Sequence, residues 1–205
     1  MKKLIFAFIV TSFTALTALT DFQTKYQESF SLEYQKKYTQ AINSLLKIYP
    51  KYQYDYELNL RLGWLNYKSG KYEESIKYLL KANNINKNAL EPLNMILLPL
   101  TALGKIKEVK KYALIVLKKS PADYYANIRL AYAYYKNQNY KQALHQYKIL
   151  NSFYPSDNNV KLGLAATYLK LKNFLNSRKY YLEILKTSPY HKTAYQGYLA
   201  TFKKD

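Results

Sequence analysis

The chain contains no cysteine. That removes disulfide staples, thiolate metal sites, cysteine nucleophiles and a lipid-modified cysteine near the N-terminus. Arginine is scarce, with Arg61, Arg129 and Arg178 the three present. A nucleic-acid reader normally carries more, for bidentate contacts to bases and phosphates. Acidic residues number 13 against 32 lysines and arginines, a formal net charge of +19 over 205 residues. The two histidines, His145 and His191, have no acidic residue at a motif spacing. Glu73 and Glu74 are adjacent carboxylates that point to different faces of a helix. Phosphate-loop, zinc-protease and serine-hydrolase motifs (GxxxxGK[ST], HExxH, GxSxG) are all missing. No catalytic residue, metal site or cofactor is expected, and the chain reads as non-enzymatic.

Apolar residues make up 49% and charged ones 22%, a globular composition with enough length for a real core. Lysine excess with 25 tyrosines has two readings: a biased genome, or an acidic partner. A long apolar stretch occurs at the start, where Met1-Lys2-Lys3 precedes LIFAFIV (Leu4–Val10) and no charge follows until Asp21. This pattern fits a secretory signal better than a membrane span of roughly 20 predominantly apolar residues. The cleavage box is poor, Ala18-Leu19-Thr20 being the best candidate. Residues 1–20 therefore read as a signal peptide or, alternatively, as an uncleaved inner-membrane anchor. Both place the remainder outside the cytoplasm, in the periplasm.

A period of about 34 residues runs through the rest of the chain. Tyr38, Tyr72, Ile106, Tyr140 and Phe174 share one register, each preceded by lysine or asparagine. Three residues on stand Ala41, Ser75, Val109, Ala143 and Ser177, all small or β-branched. Pro121, Pro155 and Pro189 repeat at the same interval. Fixed self-similarity of this length marks stacked supersecondary units.

The residues at these positions resemble the tetratricopeptide repeat, a helix-turn-helix unit with W-x₂-L-G-x₂-Y, then A-x₃-F and a late proline. Leu130-Ala131, Tyr134, Tyr140, Ala143, Tyr147 and Pro155 match it best; Leu164-Ala165, Tyr168, Phe174 and Pro189 follow, and Leu62-Gly63 supplies the L-G pair earlier. The resemblance implies an all-α, right-handed α-solenoid of about five repeats, near 22–55, 56–89, 90–123, 124–157 and 158–191. A capping helix over 192–203 would complete a solenoid spanning 21–205. Small residues at Gly63, Ala131 and Ala165 let paired helices approach, and the large ones fill space between repeats. Two departures stand out. The first repeat has Glu28-Ser29 in place of L-G and an early Pro50. The third has Leu97 in place of the small residue and Pro99 within its first helix, where the lost bond to Met95 predicts a kink costing about 3 kcal/mol.

In the family resembled, first helices line the concave groove. The candidate groove residues are Leu60, Trp64, Tyr67 and Lys68 in the second repeat. The fourth offers Tyr125, Ile128, Arg129, Tyr132, Tyr135 and Lys136, and the fifth Lys170 with Leu162, Ala166 and Leu169. Tyr26, Phe30 and Tyr34 occupy the first. Such a groove is aromatic with a few cations, the composition of binding hot spots. Trp64→Ala with Tyr132→Ala is expected to weaken partner binding at unchanged helicity. The two-carboxylate clamp of chaperone-tail binders is absent: with Arg129 as its arginine, Tyr125, Met95, Trp64 and Leu60 occupy the remaining clamp positions. Lysines concentrate on second helices and turns, either as a solvated face or as a surface for anionic phospholipid or an anionic polymer. The resulting expectation is a scaffolding protein of the bacterial envelope that binds a protein or peptide. The alternative is a periplasmic accessory in polysaccharide or cell-wall assembly that binds glycan. Nucleic acid fits poorly.

Overall fold

A computed structural model describes residues 21–202, and the expected signal or anchor over residues 1–20 lies outside them. Among the described residues the chain is all-α, with no strand. Helix α1 covers residues 21–34. It is followed by α2 (Tyr38–Tyr52), α3 (Tyr56–Lys68), α4 (Tyr72–Ile85), α5 (Glu91–Ala102) and α6 (Ile106–Lys119). Then come α7 (Tyr124–Lys136), α8 (Tyr140–Phe153), α9 (Asn158–Lys170), α10 (Phe174–Thr187) and α11 (Lys192–Ala200). Tyr38, Tyr72, Ile106, Tyr140 and Phe174 each open a second helix. The weakly matching first repeat does have a first helix.

Two local devices set the helix boundaries. Three first helices, α3, α7 and α9, begin on aspartate caps: Asp55 accepts from Leu58 N–H at 2.7 Å, Asp123 from Ala126 at 2.9 Å and Asp157 from Val160 at 3.0 Å. At the same register His191 accepts through Nδ1 from Ala194 N–H at 3.2 Å, which gives this histidine a capping role. The turn inside each hairpin is a left-handed residue: Lys36, Gly70, Gly104, Gln138 and Lys172, with φ between 57° and 80°. After each of them an N–H reaches back across the helix end. Lys37 bonds the Leu32 carbonyl at 2.8 Å, Lys71 that of Asn66 at 2.9 Å, and Asn173 that of Tyr168 at 2.9 Å. This is the six-to-one closure of a Schellman turn. Three of the five turns carry a side chain where glycine is preferred. Lys172→Gly should therefore raise stability by about 0.5 kcal/mol, the left-handed penalty of about 1 kcal/mol less glycine's entropic cost. A urea titration measures the gain.

The chain forms two compact units that part between Pro99 and Leu100. In unit 1 the core is Ala41, Ile42, Leu45, Ile48, Leu58, Leu62 and Leu65, with Tyr26, Trp64 and Tyr78 packed on it. α3 packs on α4, and buried Ser75 donates across the pair to the Gly63 carbonyl at 2.7 Å. Helix α5 runs through Pro99 to Ala102, so the expected kink does not end it.

Unit 2 repeats the scheme. Ser177 donates to the Ala165 carbonyl at 2.9 Å, reproducing the Ser75 bond. Side-chain volume is exchanged between successive hairpins. A Cβ on Gly163 would lie 2.3 Å from the Tyr147 ring, and one on Gly197 would lie 2.2 Å from the Tyr181 ring. Each tyrosine thus fills the space its glycine leaves open. At the end of the chain Arg178 donates to Thr201 Oγ1 at 3.0 Å and to the Thr201 carbonyl at 3.1 Å. Its guanidinium also lies 4.1 Å from the Phe202 ring centroid. Arg178 is therefore a fastener for the terminal helix.

Burial holds the Tyr181 phenol neutral up to about 12, and pushes Tyr147 upward as well. A raised folded-state pKa adds stability that is complete below the unfolded value near 10 and lost as pH climbs through the folded value. The melting temperature should fall steeply from pH 10 to 12, and Tyr181→Phe should flatten that fall.

Candidate ligand face

The first helices divide into a packing stripe and an open stripe. In unit 1, Leu60 is 5% exposed, so it is core and not groove lining. The reason lies in its register: Tyr26, Ile128 and Leu162, at the same place in their own repeats, also pack against core clusters. In each unit this row of the first helices faces the core. Ile128 belongs to it for the same reason.

Trp64 is half-buried on the unit 1 core, and its indole N–H donates to Glu33 Oε1 at 2.5 Å. The other oxygen of Glu33 pairs with Arg61 Nη1. Arg61 Nε donates to buried Ser29 at 3.0 Å, and the guanidinium lies 3.6 Å from the Phe30 ring centroid. Glu33 therefore ties α1 to two positions of α3, and Trp64 is structural. Its replacement would loosen unit 1, contrary to the expectation of unchanged helicity. Tyr67 packs between Trp64 and Tyr72, with centroids 5.9 Å from each. Lys68 is exposed beside Trp64, its ammonium 5.4 Å from the indole. It also lines an open cavity of about 370 Å³ with Lys36, Lys37, Tyr38 and Ser69. In α1, Tyr34 is 91% exposed and Phe30 49%.

In unit 2, α7 keeps more of its expected residues at the surface. Tyr125 is 61% exposed and Tyr132 41%, and Lys136 is exposed one turn further on. Tyr135 is partly buried, packed on the cluster of Ala131, Ala143, Tyr147, Leu164 and Tyr168 and set edge-on against Tyr140 at 5.5 Å. Lys170, at the end of α9, is exposed. Arg129 lies between Tyr125 and Tyr132 on the helix. Its Nε is buried and makes no hydrogen bond among the described residues.

Arg129 stands two repeats after Arg61, which makes the two a matched pair. Arg61 is served from α1 by Ser29 and Glu33. The equivalent positions before Arg129 are Leu97 and Thr101, neither of them acidic. Sequence reasoning placed Arg129 at the site but missed Glu33 and Ser29. Comparing the residue that precedes each arginine by the Glu33-to-Arg61 interval would have found the difference.

Among the described residues no cluster of His, Asp and Glu could hold a metal ion, and no helix is long and apolar enough to cross a membrane.

Residues 128–192 match the tetratricopeptide repeat family model. No curated protein sequence matches the chain significantly. Solved structures share its fold. A tetratricopeptide repeat protein from Parabacteroides merdae superposes with a TM-score of 0.77 at 18% identity, over 89% of this chain and 73% of that one. The MamA fragment 41-end from Desulfovibrio magneticus gives 0.74 at 13% identity, over 83% of this chain and 97% of that one. YrrB, described as a tetratricopeptide repeat protein with an unusual peptide-binding site, gives 0.68 at 14% identity, over 89% and 95%.

Proposed function

We propose that this chain, a tetratricopeptide repeat protein, is a non-catalytic adaptor of the bacterial envelope that holds an acidic peptide segment of a partner against α7. Repeats of this kind are generally interaction modules, and the fold supports a role in protein–protein interaction. The observation that carries the finer reading is Arg129: a guanidinium with a buried, unbonded Nε, flanked by exposed Tyr125 and Tyr132. A ligand carboxylate reaching this guanidinium would supply the acceptor that Ser29 supplies to Nε of Arg61, as a charge-assisted bond shielded by two rings. Peptide binding by YrrB, as described for that protein, is consistent with this use of the fold. The envelope location rests on Met1-Lys2-Lys3 and the apolar run behind them.

Selection of a random peptide display library on the full chain tests the reading. Enriched peptides should carry aspartate or glutamate. Arg129→Gln, and separately Tyr125→Ala with Tyr132→Ala, should each weaken them at least tenfold, about 1.4 kcal/mol. The melting temperature should hold, because Arg129→Gln removes a charge whose buried nitrogen is unsatisfied. Enrichment without acidic residues, or affinity unmoved by these substitutions, overturns it. Glycan binding lost with the tyrosines and retained in Arg129→Gln would favour the polysaccharide-handling alternative.

A further inference from the structure

We infer that the outward face of unit 2 docks on an anionic phospholipid surface. The surface is formed by the three second helices α6, α8 and α10, and the repeat period aligns their exposed stripes. On α6 the stripe is Lys107, Lys111, Leu114 and Lys118, at helical spacings of four, three and four. On α10 the same positions hold Leu175, Lys179, Leu182 and Lys186, and on α8 Lys141 and Lys148 fall in it beside exposed His145. Such spacing puts each set along one side of its helix.

Two features select a bilayer over a soluble polyanion. Leucines interrupt the lysines, and they are open to solvent: Leu175 is 79% exposed, Leu114 48% and Leu182 39%. An apolar side chain among lysines adds nothing to contact with a hydrated polymer, but it gains free energy on entering the headgroup boundary. The second feature is the absence of arginine from these stripes. Arg178 of α10 is committed to Thr201, so the bidentate reading of a phosphodiester backbone has no residue to perform it. Carboxylates are few on these helices: Glu108 flanks the α6 stripe, and Glu183 faces Lys161 at 3.6 Å. The docking residues are distinct from those proposed on α7, so failure of one reading leaves the other standing.

Co-sedimentation of the full chain with phosphatidylcholine vesicles, with and without phosphatidylglycerol, tests the proposal. The apolar segment Leu4–Val10 would contribute to both vesicle types, so the readout is the difference between them. At low salt, affinity should be at least tenfold higher for the anionic vesicles, and the ratio should shrink as salt rises. Lys111→Gln with Lys179→Gln and Lys186→Gln should remove most of that ratio. Leu175→Ser with Leu182→Ser should weaken anionic-vesicle binding severalfold while the salt dependence is kept. These side chains are exposed, and circular dichroism confirms that the variants fold. Equal binding to the two vesicle types overturns the proposal. So does a leucine variant that binds like the parent while the lysine variant fails and polyphosphate competes, an outcome that identifies a soluble polyanion.

Discussion

Gly163→Val is expected to destabilise unit 2 by about 3 kcal/mol or more, the upper range for overpacking a closed interior. The first atom of the new side chain would already lie 2.3 Å from Tyr147 Cε1 and 2.4 Å from Cζ. Tyr147 has nowhere to retreat, being 5% exposed and set among Ala131, Ala143, Leu164 and Tyr168. A rigid ring cannot fold aside as a leucine can. Gly63 provides the comparison, because its added Cβ would meet the flexible end of Leu79 at 2.6 Å. Gly63→Ala should accordingly cost less than Gly163→Ala. The decisive measurement is a double-mutant cycle in urea. Tyr147→Leu with Gly163→Met would reproduce the Leu79 and Met95 found at the same register in unit 1. The pair should be more stable than the sum of the two single effects by at least about 1 kcal/mol. Strict additivity would show that the two residues do not share one space.

Glu33→Ala is expected to cost about 3 kcal/mol in unit 1, because it breaks a largely buried ion pair. The side chain of Arg61 is 6% exposed and that of Glu33 21%, so the substitution strands a buried guanidinium. Removing one member of such a pair is far more damaging than replacing both. The indole of Trp64 loses its acceptor in the same step. Glu33→Leu with Arg61→Met should recover most of the loss, since methionine is what the third repeat carries at that register, as Met95. The chain has a single tryptophan, Trp64, so its fluorescence reports the unfolding of unit 1 directly. An unchanged fluorescence midpoint in Glu33→Ala would remove Glu33 from the set of residues that hold unit 1 together.

The repeat was legible because it is written in side-chain size at a fixed interval. Tyr38, Tyr72, Ile106, Tyr140 and Phe174 mark the helix starts without any knowledge of partners. What stayed hidden were interactions whose partner is set by the three-dimensional stack. Leu60 and Trp64 looked open because the pattern of α3 alone reveals neither the burial of Leu60 nor the bond from Trp64 to Glu33 of α1. Side chains at left-handed turn positions were equally invisible, since Lys36, Gln138 and Lys172 occupy turns that composition reserves for glycine. On α7 Tyr125, Tyr132 and Lys136 are exposed, each on the stripe of the helix that the repeat pattern leaves out of its packing. The exchange of volume between Tyr147 and Gly163 could have been read from the sequence, as Gly163 and Gly197 are one period apart, and so are Tyr147 and Tyr181.

That exchange has an implication for how the chain could lengthen. Residues 158–191 offer a glycine at one end, Gly163, which receives the ring of Tyr147. At the other end they offer a ring, Tyr181, which enters the space at Gly197. The segment is thus complementary to itself. A tandem duplication of this segment would bring Tyr181 of the first copy against the glycine of the second, repeating a junction the protein already makes. The segment around Arg129 lacks this property, because it carries an arginine where the incoming ring of Tyr147 would need room. Growth of the array by simple copying is open at residues 158–191 and closed at that segment.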